Sequence, residues 1–252
     1  MTSQRARVRW CAHETARAWS NLVVGTLLSV FVVLLGGCRG LGADVIELAP
    51  CDGGTTTAFA DDFEDGVVDP AWTVFGASEG GSVEETGGSI RLTPSPARGS
   101  RASIVTNIPV HLTDGVRIEV SVEEVLASTN LAWTHLQLIT DPSDIVRLYV
   151  QEGQICASFQ PGGGAATELG CRAHAGAADR VWRIERRGDR IEWGAGPDAA
   201  ATDVLADSVV PFDVSDVYLQ VEAGTSQAVP GVGQVRVTEV DVRDPSGSPC
   251  SP

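Results

Sequence analysis

The chain contains no lysine, so arginine is its only strongly basic residue. All 18 basic residues are arginine and 33 acidic residues outnumber them, which gives a formal net charge of −15 at pH 7. A surface with this excess of carboxylates repels phosphate backbones, and it argues against nucleic acid as a partner. The same charge is compatible with solubility or with the binding of cations.

Several motifs that carry common chemistries are also absent. No C-x-x-C occurs, and the four histidines at positions 13, 111, 135 and 174 are scattered, which argues against a zinc site. We find no Ser-His-Asp elbow and no nucleotide motif. The glycine run at 162–164 is not followed by a helical pattern, so it does not predict a phosphate-binding loop.

The N-terminus has the layout of a secretory signal. Arginines at 5, 7, 9 and 17 precede an uncharged apolar run over 22–35, and Gly36, Gly37 and Cys38 follow it. The run is shorter than the roughly 20 residues that a membrane-spanning helix needs, which makes a transmembrane anchor the weaker alternative. A cleaved signal with a coincidental cysteine is the other alternative.

The segment Leu35-Gly36-Gly37-Cys38 resembles the lipobox of bacterial lipoprotein signals, in which the cysteine is lipidated and becomes the new N-terminus. The resemblance implies that 1–37 is a signal peptide and that a lipid on Cys38 attaches the protein to a membrane. Residue 39 is arginine and not aspartate, which further implies the outer membrane of a bacterial cell envelope. Without residues 1–37, 18 − 4 = 14 arginines face 33 − 1 = 32 acids, a net charge of −18.

Four cysteines follow Cys38, at positions 51, 156, 171 and 250. Outside the cytoplasm they should be paired, and four cysteines allow three connectivities. We favour Cys156–Cys171, which closes a short hairpin-like loop and would stabilise the fold by about 3 kcal/mol through loop-closure entropy. The other pair, Cys51–Cys250, joins the two ends of the domain and requires the first and last strands to be neighbours.

Alternation of apolar and polar residues predicts an all-β protein. From Thr55 onward no helical periodicity is sustained, and frequent turn residues favour an antiparallel two-sheet sandwich. Arg187-Gly188-Asp189 has the composition of a hairpin turn. The alternation is clearest over 116–123, 144–150 and 234–242. The predicted organisation is a tether at 38–54, one sandwich at 55–243 and a tail at 244–252, with Trp72, Trp182 and Trp193 in the core.

Short motifs along this domain occur in a characteristic order. They are DDFEDG at 61–66, DPAWTV at 69–74, GGSIRL at 87–92 and RIERRGDRI at 183–191. Their order resembles that of concanavalin A-like lectin and glucanase domains. The resemblance implies a jelly-roll sandwich whose first and last strands lie close together, and it implies carbohydrate as the class of ligand. A later turn departs from the family pattern, because Ala199 stands where glycine is expected.

Aromatic and planar polar side chains share the outward side of three predicted strands. Their positions alternate with apolar residues such as Leu136 and Leu138, which are expected in the core. Sugar sites combine an aromatic platform for the ring with planar polar groups for its hydroxyls. The candidate carbohydrate-binding residues are Trp133, His135, Gln137, Arg147, Tyr149, Tyr218, Gln220 and Glu222. The alternative is that Trp133 and Tyr149 pack under a loop or against each other.

Acidic residues near the first and last strands suggest a structural calcium ion, which is the only cofactor that the sequence suggests. Calcium prefers hard oxygen ligands from carboxylates and loops, and relatives of the resembled family often bind it near their paired ends. The best candidates are Asp62 and Asp241. Tight turns also favour aspartate and glycine, which is the structural alternative.

Catalysis has weaker support than binding. One glucanase family of the resembled superfamily carries E-x-D-x-E on one strand, and the nearest segment here is Glu119-Val120-Ser121-Val122-Glu123, whose central acid is missing. Three hypotheses follow. The first is a lipid-anchored, non-catalytic module that binds polysaccharide or another surface partner, the second is a degenerate or unrecognised glycoside hydrolase, and the third is a structural envelope lipoprotein.

Overall fold

The computed structural model describes residues 59–76, 80–126, 129–141 and 143–243. They form two eight-stranded antiparallel sheets and one short 3-10 helix at Gly176–Asp179, so the predicted all-β sandwich is confirmed. Within these ranges no helix is long and apolar enough to cross a membrane. Cys38, Cys51 and Cys250 lie outside the described residues.

The strands of the first sheet, sheet I, are β1 (Phe59–Asp61), β3 (Ser82–Glu85), β4 (Ile90–Thr93), β7 (Arg117–Glu124), β12 (Val181–Arg187), β13 (Arg190–Gly196), β14 (Asp203–Val209) and β16 (Val235–Arg243). Their order across the sheet is β14-β13-β12-β7-β16-β4-β3, and β1 also pairs with β16. The first and last described strands are therefore neighbours, as the Cys51–Cys250 pairing requires.

The strands of the second sheet, sheet II, are β2 (Trp72–Phe75), β5 (Arg101–Thr106), β6 (Val110–His111), β8 (Ala132–Asp141), β9 (Asp144–Gln151), β10 (Gln154–Gln160), β11 (Thr167–Ala173) and β15 (Asp216–Thr225). Their order is β11-β10-β9-β8-β15-β5-β2, and β6 pairs with the start of β15. Strands β8, β9 and β15, which carry the candidate site residues, are thus central neighbours in one sheet.

Apolar residues from both sheets form one core between them. On β7 the buried apolar residues are Ile118, Val120 and Val122, which alternate with polar residues on the outer side as predicted. Trp72, Trp182 and Trp193 are buried in the same core. Burial of these side chains is the main stabilising contribution to such a sandwich.

Strand β16 departs from simple alternation. Its buried valines are 235, 237, 240 and 242, and the register against β7 shifts on either side of Val237. Such a bulge inserts an extra residue and changes which positions face the core. As a result Glu239 and Asp241 lie on the outer face of sheet I, whereas uninterrupted alternation from Val235 would turn both inward.

The hairpin between β12 and β13 turns at Gly188 and Asp189, as the sequence predicted. Arg187 pairs with Arg190 across it, and Gly188 has φ +64°. A two-residue hairpin loop with glycine at its first position suits the twist of antiparallel strands, because glycine adopts positive φ without steric cost.

Candidate functional site

The strand register brings seven of the eight predicted residues together on the outer face of sheet II. His135 lies opposite Tyr149 on one side and opposite Glu222 on the other. Gln137 lies between Arg147 and Gln220 in the next row. Directly opposite residues in antiparallel strands point to the same side of a sheet. We call the outward residues of β8, β9 and β15, with their neighbours on β5, β10 and β11, the polar face.

The indole of Trp133 lies close against Gly224 on strand β15. A Cβ atom built on Gly224 would stand 2.6 Å from Cε2 and Cζ2 of this ring, so only glycine leaves room for it. The indole Nε1 donates a hydrogen bond to Oε1 of Glu222 at 3.0 Å. The ring also stacks on His135, with centroids 5.6 Å apart and 22° between the planes. Gly224, Glu222 and His135 together fix the orientation of the ring.

His135 is packed between two aromatic rings. Tyr149 meets it edge-on, with centroids 5.8 Å apart. Burial lowers the pKa of His135 well below its ordinary value of 6.5, and the charges of Arg147 and Arg101 lower it further. Its Nδ1 is 3.7 Å from Glu222 Oε1, which is too far for a hydrogen bond. The imidazole is therefore neutral at pH 7.

A hydrogen-bonded chain of planar polar groups lies next to the rings. Nε and Nη2 of Arg147 donate to Oε1 of Gln137 at 3.2 and 3.1 Å. Nε2 of Gln137 donates to Oε1 of Gln220, and Nε2 of Gln220 donates in turn to Ser103 Oγ and Glu222 Oε2. Buried networks of this kind hold their members in one geometry when each group has a partner.

At the other end of the polar face, Tyr149 contacts the edge strand β11. The Tyr149 hydroxyl donates to Oε2 of Glu168 at 3.0 Å. Burial, followed by this hydrogen bond, raises the pKa of Tyr149 to about 12, so the phenol stays protonated. Cys156 lies opposite both Tyr149 and Cys171, and the two cysteines form a disulfide that joins β10 to β11.

Tyr218 occupies a different position from the other candidates. It lies on the same side of β15, but it pairs with Ile139 near the far end of the sheet. Among the described residues, no hydrogen bond connects it to the network around Gln137. The arrangement therefore centres on Trp133, His135 and Tyr149.

Four members of the polar face were not among the predicted residues: Arg101, Ser103, Glu168 and Gly224. Gly224 could have been recognised from the sequence, because a glycine inside a strand often marks the close approach of another group. The other three are ordinary polar residues on strands, and only the pairing of β5 with β15 and of β10 with β11 places them here.

The calcium candidates are on the outer side of sheet I. A cavity of about 570 Å³ is lined by Ala60 and by the acids Asp61, Asp62, Glu64, Asp65, Asp69 and Glu239. Asp62 is part of this lining, whereas Asp241 lies opposite Ala60 and forms an ion pair with Arg243. Most of these acids cap turns: Asp61, Asp62, Asp65 and Asp69 each accept a backbone N–H two residues ahead.

These acids fit a calcium ion only in part. Carboxylate oxygens are the right type of ligand. Within the described ranges, however, the one group of three candidate ligands whose atoms all lie within 4.8 Å of one another is Cys156, Glu168 and Cys171. Its two cysteines are joined in a disulfide, so it does not describe a metal centre. The acidic cleft is therefore not a preformed site of three converging carboxylates.

Glu119 lies far from the aromatic rings in the topology. It is on β7 of sheet I, where Arg117 Nε stands 3.4 Å from its Oε1. Burial raises the pKa of Glu119, and Arg117 and Arg243 oppose that shift. The segment that resembled a catalytic strand thus contributes a carboxylate to a charged surface on the opposite sheet.

No protein-family model matches the sequence, and no curated protein matches it either. Solved structures do resemble it. The β-glucanase of Bacillus licheniformis is 10% identical, with TM-score 0.55 over 76% of this chain and 100% of that chain. The carbohydrate recognition domain of Emp47p is 12% identical, with TM-score 0.56 over 73% of this chain and 93% of that chain. The exoplasmic/lumenal domain of VIP36, in its Ca²⁺/Man3GlcNAc-bound form, is 16% identical, with TM-score 0.51 over 69% of this chain and 84% of that chain.

These likenesses are similarities of fold. They confirm the predicted concanavalin A-like jelly roll, which glucanases and lectins share. The fold itself does not assign an activity, because one fold can carry many unrelated sites.

Proposed function

We propose that the polar face of sheet II binds carbohydrate without cleaving it. The observation that carries this proposal is the close seating of Trp133 against Gly224, with its Nε1 bonded to Glu222 and its ring stacked with His135. A ring held in this way can meet the C–H face of a sugar, and the planar groups beside it can meet hydroxyls. The fold is also one that lectins use.

The placement of the carboxylates supports a non-catalytic role. Glycoside hydrolysis needs two carboxyl groups that flank the scissile bond, roughly 5 to 10 Å apart. Glu222 is buried and bonded to Trp133, Glu168 is on the edge strand β11, and Glu119 is on the other sheet. The alternative, a glycoside hydrolase, predicts an increase in reducing ends when the protein is incubated with a polysaccharide that it binds.

Binding can be tested with a glycan array, followed by affinity electrophoresis in gels that contain each polysaccharide identified. We expect Trp133→Ala to weaken binding on the order of 30-fold, the effect of losing a central aromatic contact. Trp133→Phe should keep part of the affinity, because it retains a ring but loses the hydrogen bond to Glu222. Arg190→Ala on sheet I is the control and should bind like the wild type.

Unchanged binding in Trp133→Ala and Tyr149→Ala would contradict the proposal. Failure of the folded wild type to bind any glycan would favour the third hypothesis, a structural envelope protein with no small ligand. Circular dichroism of each variant separates loss of binding from loss of folding.

We also propose that the domain is attached to the bacterial envelope through a lipid on Cys38. The lipobox-like segment before that residue supports this, and the outer membrane is the expected destination. In a detergent phase-separation experiment, the wild type should enter the detergent phase and Cys38→Ala should remain in the aqueous phase. Equal partitioning of the two proteins would contradict lipidation.

A structural calcium ion is a subordinate proposal, in which Asp62 and water hold the ion in the acidic cleft. The carboxylates that line the cleft support it, and VIP36 was solved with Ca²⁺ bound. We expect millimolar calcium to raise the melting temperature and Asp62→Asn to reduce that increase. Asp241→Asn should have a smaller effect, because Asp241 pairs with Arg243. A melting temperature that calcium and chelator leave unchanged would contradict the proposal.

A further inference from the structure

The side-chain oxygens of Gln137, Gln220 and Glu222 at the centre of the polar face already accept hydrogen bonds. Oε1 of Gln137 accepts two hydrogen bonds from Arg147, and Oε1 of Gln220 accepts one from Gln137. The two oxygens of Glu222 accept from Trp133 and from Gln220, and the side chain of Glu222 is only 5% exposed. A ligand on this face therefore meets few free acceptors among the described groups.

Arg101 is an exposed hydrogen-bond donor beside Glu222 on this face. Its side chain is 62% exposed, and its Nη1 stands 3.7 Å from Glu222 Oε2, beyond hydrogen-bond distance. Gly224 lies opposite Arg101 on one side and opposite Trp133 on the other. Glu222 is a neighbour of both side chains, because its Oε1 accepts from the indole and its Oε2 is 3.7 Å from the guanidinium of Arg101.

The charge at this end of the face is locally positive. Arg101 and Arg147 contribute two positive charges, against the single buried carboxylate of Glu222. The exposed Glu168 lies on β11, five strand positions away from β5, which corresponds to about 24 Å at the usual spacing. This local excess of positive charge contrasts with the net charge of −15 of the whole chain.

We propose that the polar face selects an acidic polysaccharide, with Arg101 binding a carboxylate or sulfate of the sugar that stacks on Trp133. This inference rests on the carbohydrate binding proposed above and adds the chemical class of the ligand. A guanidinium donates two parallel hydrogen bonds to a carboxylate or sulfate, whereas an uncharged hydroxyl uses only one such donor. Arg101 is thus a specificity-determining residue.

The test compares matched polymers that differ in charge. Polygalacturonate is paired with its methyl ester, and dextran sulfate is paired with dextran, each in affinity electrophoresis with the full chain. We expect the charged member of at least one pair to bind about tenfold more tightly than its neutral partner, as for a charge-assisted contact. Arg101→Gln should remove this difference. Arg190→Gln makes the same change in net charge on sheet I and should preserve it.

Trp133→Ala separates this inference from the proposal on which it depends. Loss of binding to both members of a pair in Trp133→Ala, together with loss of the charge preference alone in Arg101→Gln, supports both. Equal affinity for charged and neutral polymers, or a preference that Arg101→Gln leaves intact, overturns the inference, while dependence on Trp133 still supports carbohydrate binding. Binding to neutral glycans alone also overturns it.

Discussion

The outer faces of the two sheets are both polar, but they are built from different side chains. On sheet I, arginines alternate with carboxylates. Glu192 contacts two of them: Nη2 of Arg183 lies 2.7 Å from Oε1 of Glu192, and Nη1 of Arg187 lies 3.1 Å from Oε2 of Glu192. The same ladder continues through Arg117–Glu119, Arg187–Glu185 and Arg190–Asp207. None of the outward positions on the described strands of sheet I is aromatic.

The difference between the faces lies in what each leaves free for a partner. In the ladder, each of these arginines has a carboxylate neighbour on its own or an adjacent strand, and the exposed pairs among them contribute about 0 to 1 kcal/mol each. On sheet II, hydrogen bonds along the edges of Trp133 and Tyr149 orient the rings. Polarity alone thus does not identify a site, whereas oriented aromatic rings beside an exposed cation do.

The largest expected effect concerns the edges of the two sheets. The edge strand β11 of sheet II is joined to β10 by Cys156–Cys171, whereas the edge strand β14 of sheet I has no cysteine. Replacing both cysteines by alanine should reduce stability by about 3 kcal/mol, the loop-closure term for this spacing. For a domain of this size we expect a decrease in melting temperature of roughly 6 to 12 °C.

Hydrogen exchange shows where the loss acts. Amides of β11 should lose protection in the alanine variant, and those of β14 should change less, because the disulfide acts on one hairpin. The Tyr149–Glu168 contact should weaken with β11, since Glu168 is on that strand. A uniform loss of protection over both sheets would contradict this local role.

The second effect concerns two glycines in equivalent settings. Gly224→Ala should cost about 1 to 3 kcal/mol, because the new Cβ would meet the rigid indole of Trp133 at 2.6 Å. Gly194 is the matched control on sheet I, where a Cβ would meet the backbone oxygen of Asp203 at 3.1 Å and the guanidinium of Arg183 at 3.5 Å, which are longer distances than at Gly224. Gly194→Ala should therefore stay within about 1 kcal/mol of the wild type.

Urea unfolding and polysaccharide binding check this pair together. Gly224→Ala should weaken binding as well as stability, since it displaces the platform, while Gly194→Ala should leave binding unchanged. Equal losses of binding in the two variants would show that the seating of Trp133 does not matter.

Much of the fold could be predicted because alternation follows directly from strand geometry. On β9, alternation predicted that Val146, Leu148 and Val150 face the core and that Arg147 and Tyr149 face outward. The structure confirms this, because the first three are buried and the other two are not. The bulge in β16 had a local signal, because two polar residues, Thr238 and Glu239, stand between Val237 and Val240 and interrupt the alternation where the register against β7 shifts.

The site was predictable only in its residue types. Trp133, His135 and Glu222 could be assigned outward, but the contact of β8 with β15 joins residues that are 89 positions apart in the chain. Sheet order depends on packing of the whole core, which no single strand encodes. Arg101 could not be assigned to the site for the same reason, because it is placed near Trp133 only by the pairing of both residues with Gly224.

The smallest expected effect is a dependence of stability on pH, and its sign is opposite for the two faces. His135 on sheet II has its pKa lowered from 6.5, mainly by burial, whereas Glu119 on sheet I has its pKa raised from 4.5, also mainly by burial. As pH falls below about 6.5, the unfolded state takes up a proton on His135 before the folded state does, so stability falls. As pH rises above about 4.5, the unfolded state loses the Glu119 proton first, so stability again falls.

Urea unfolding between pH 4.5 and pH 7 separates the two contributions. Each group can change the free energy of unfolding by at most about 1.4 kcal/mol per pH unit. His135→Gln should reduce the part of the slope in which stability rises with pH, to which His174 also contributes, and Glu119→Gln should reduce the part in which it falls, to which Glu85 also contributes. If the difference in stability between His135→Gln and the wild type is the same at every pH, His135 is not held neutral by the polar face, and the environment inferred for Trp133 is wrong.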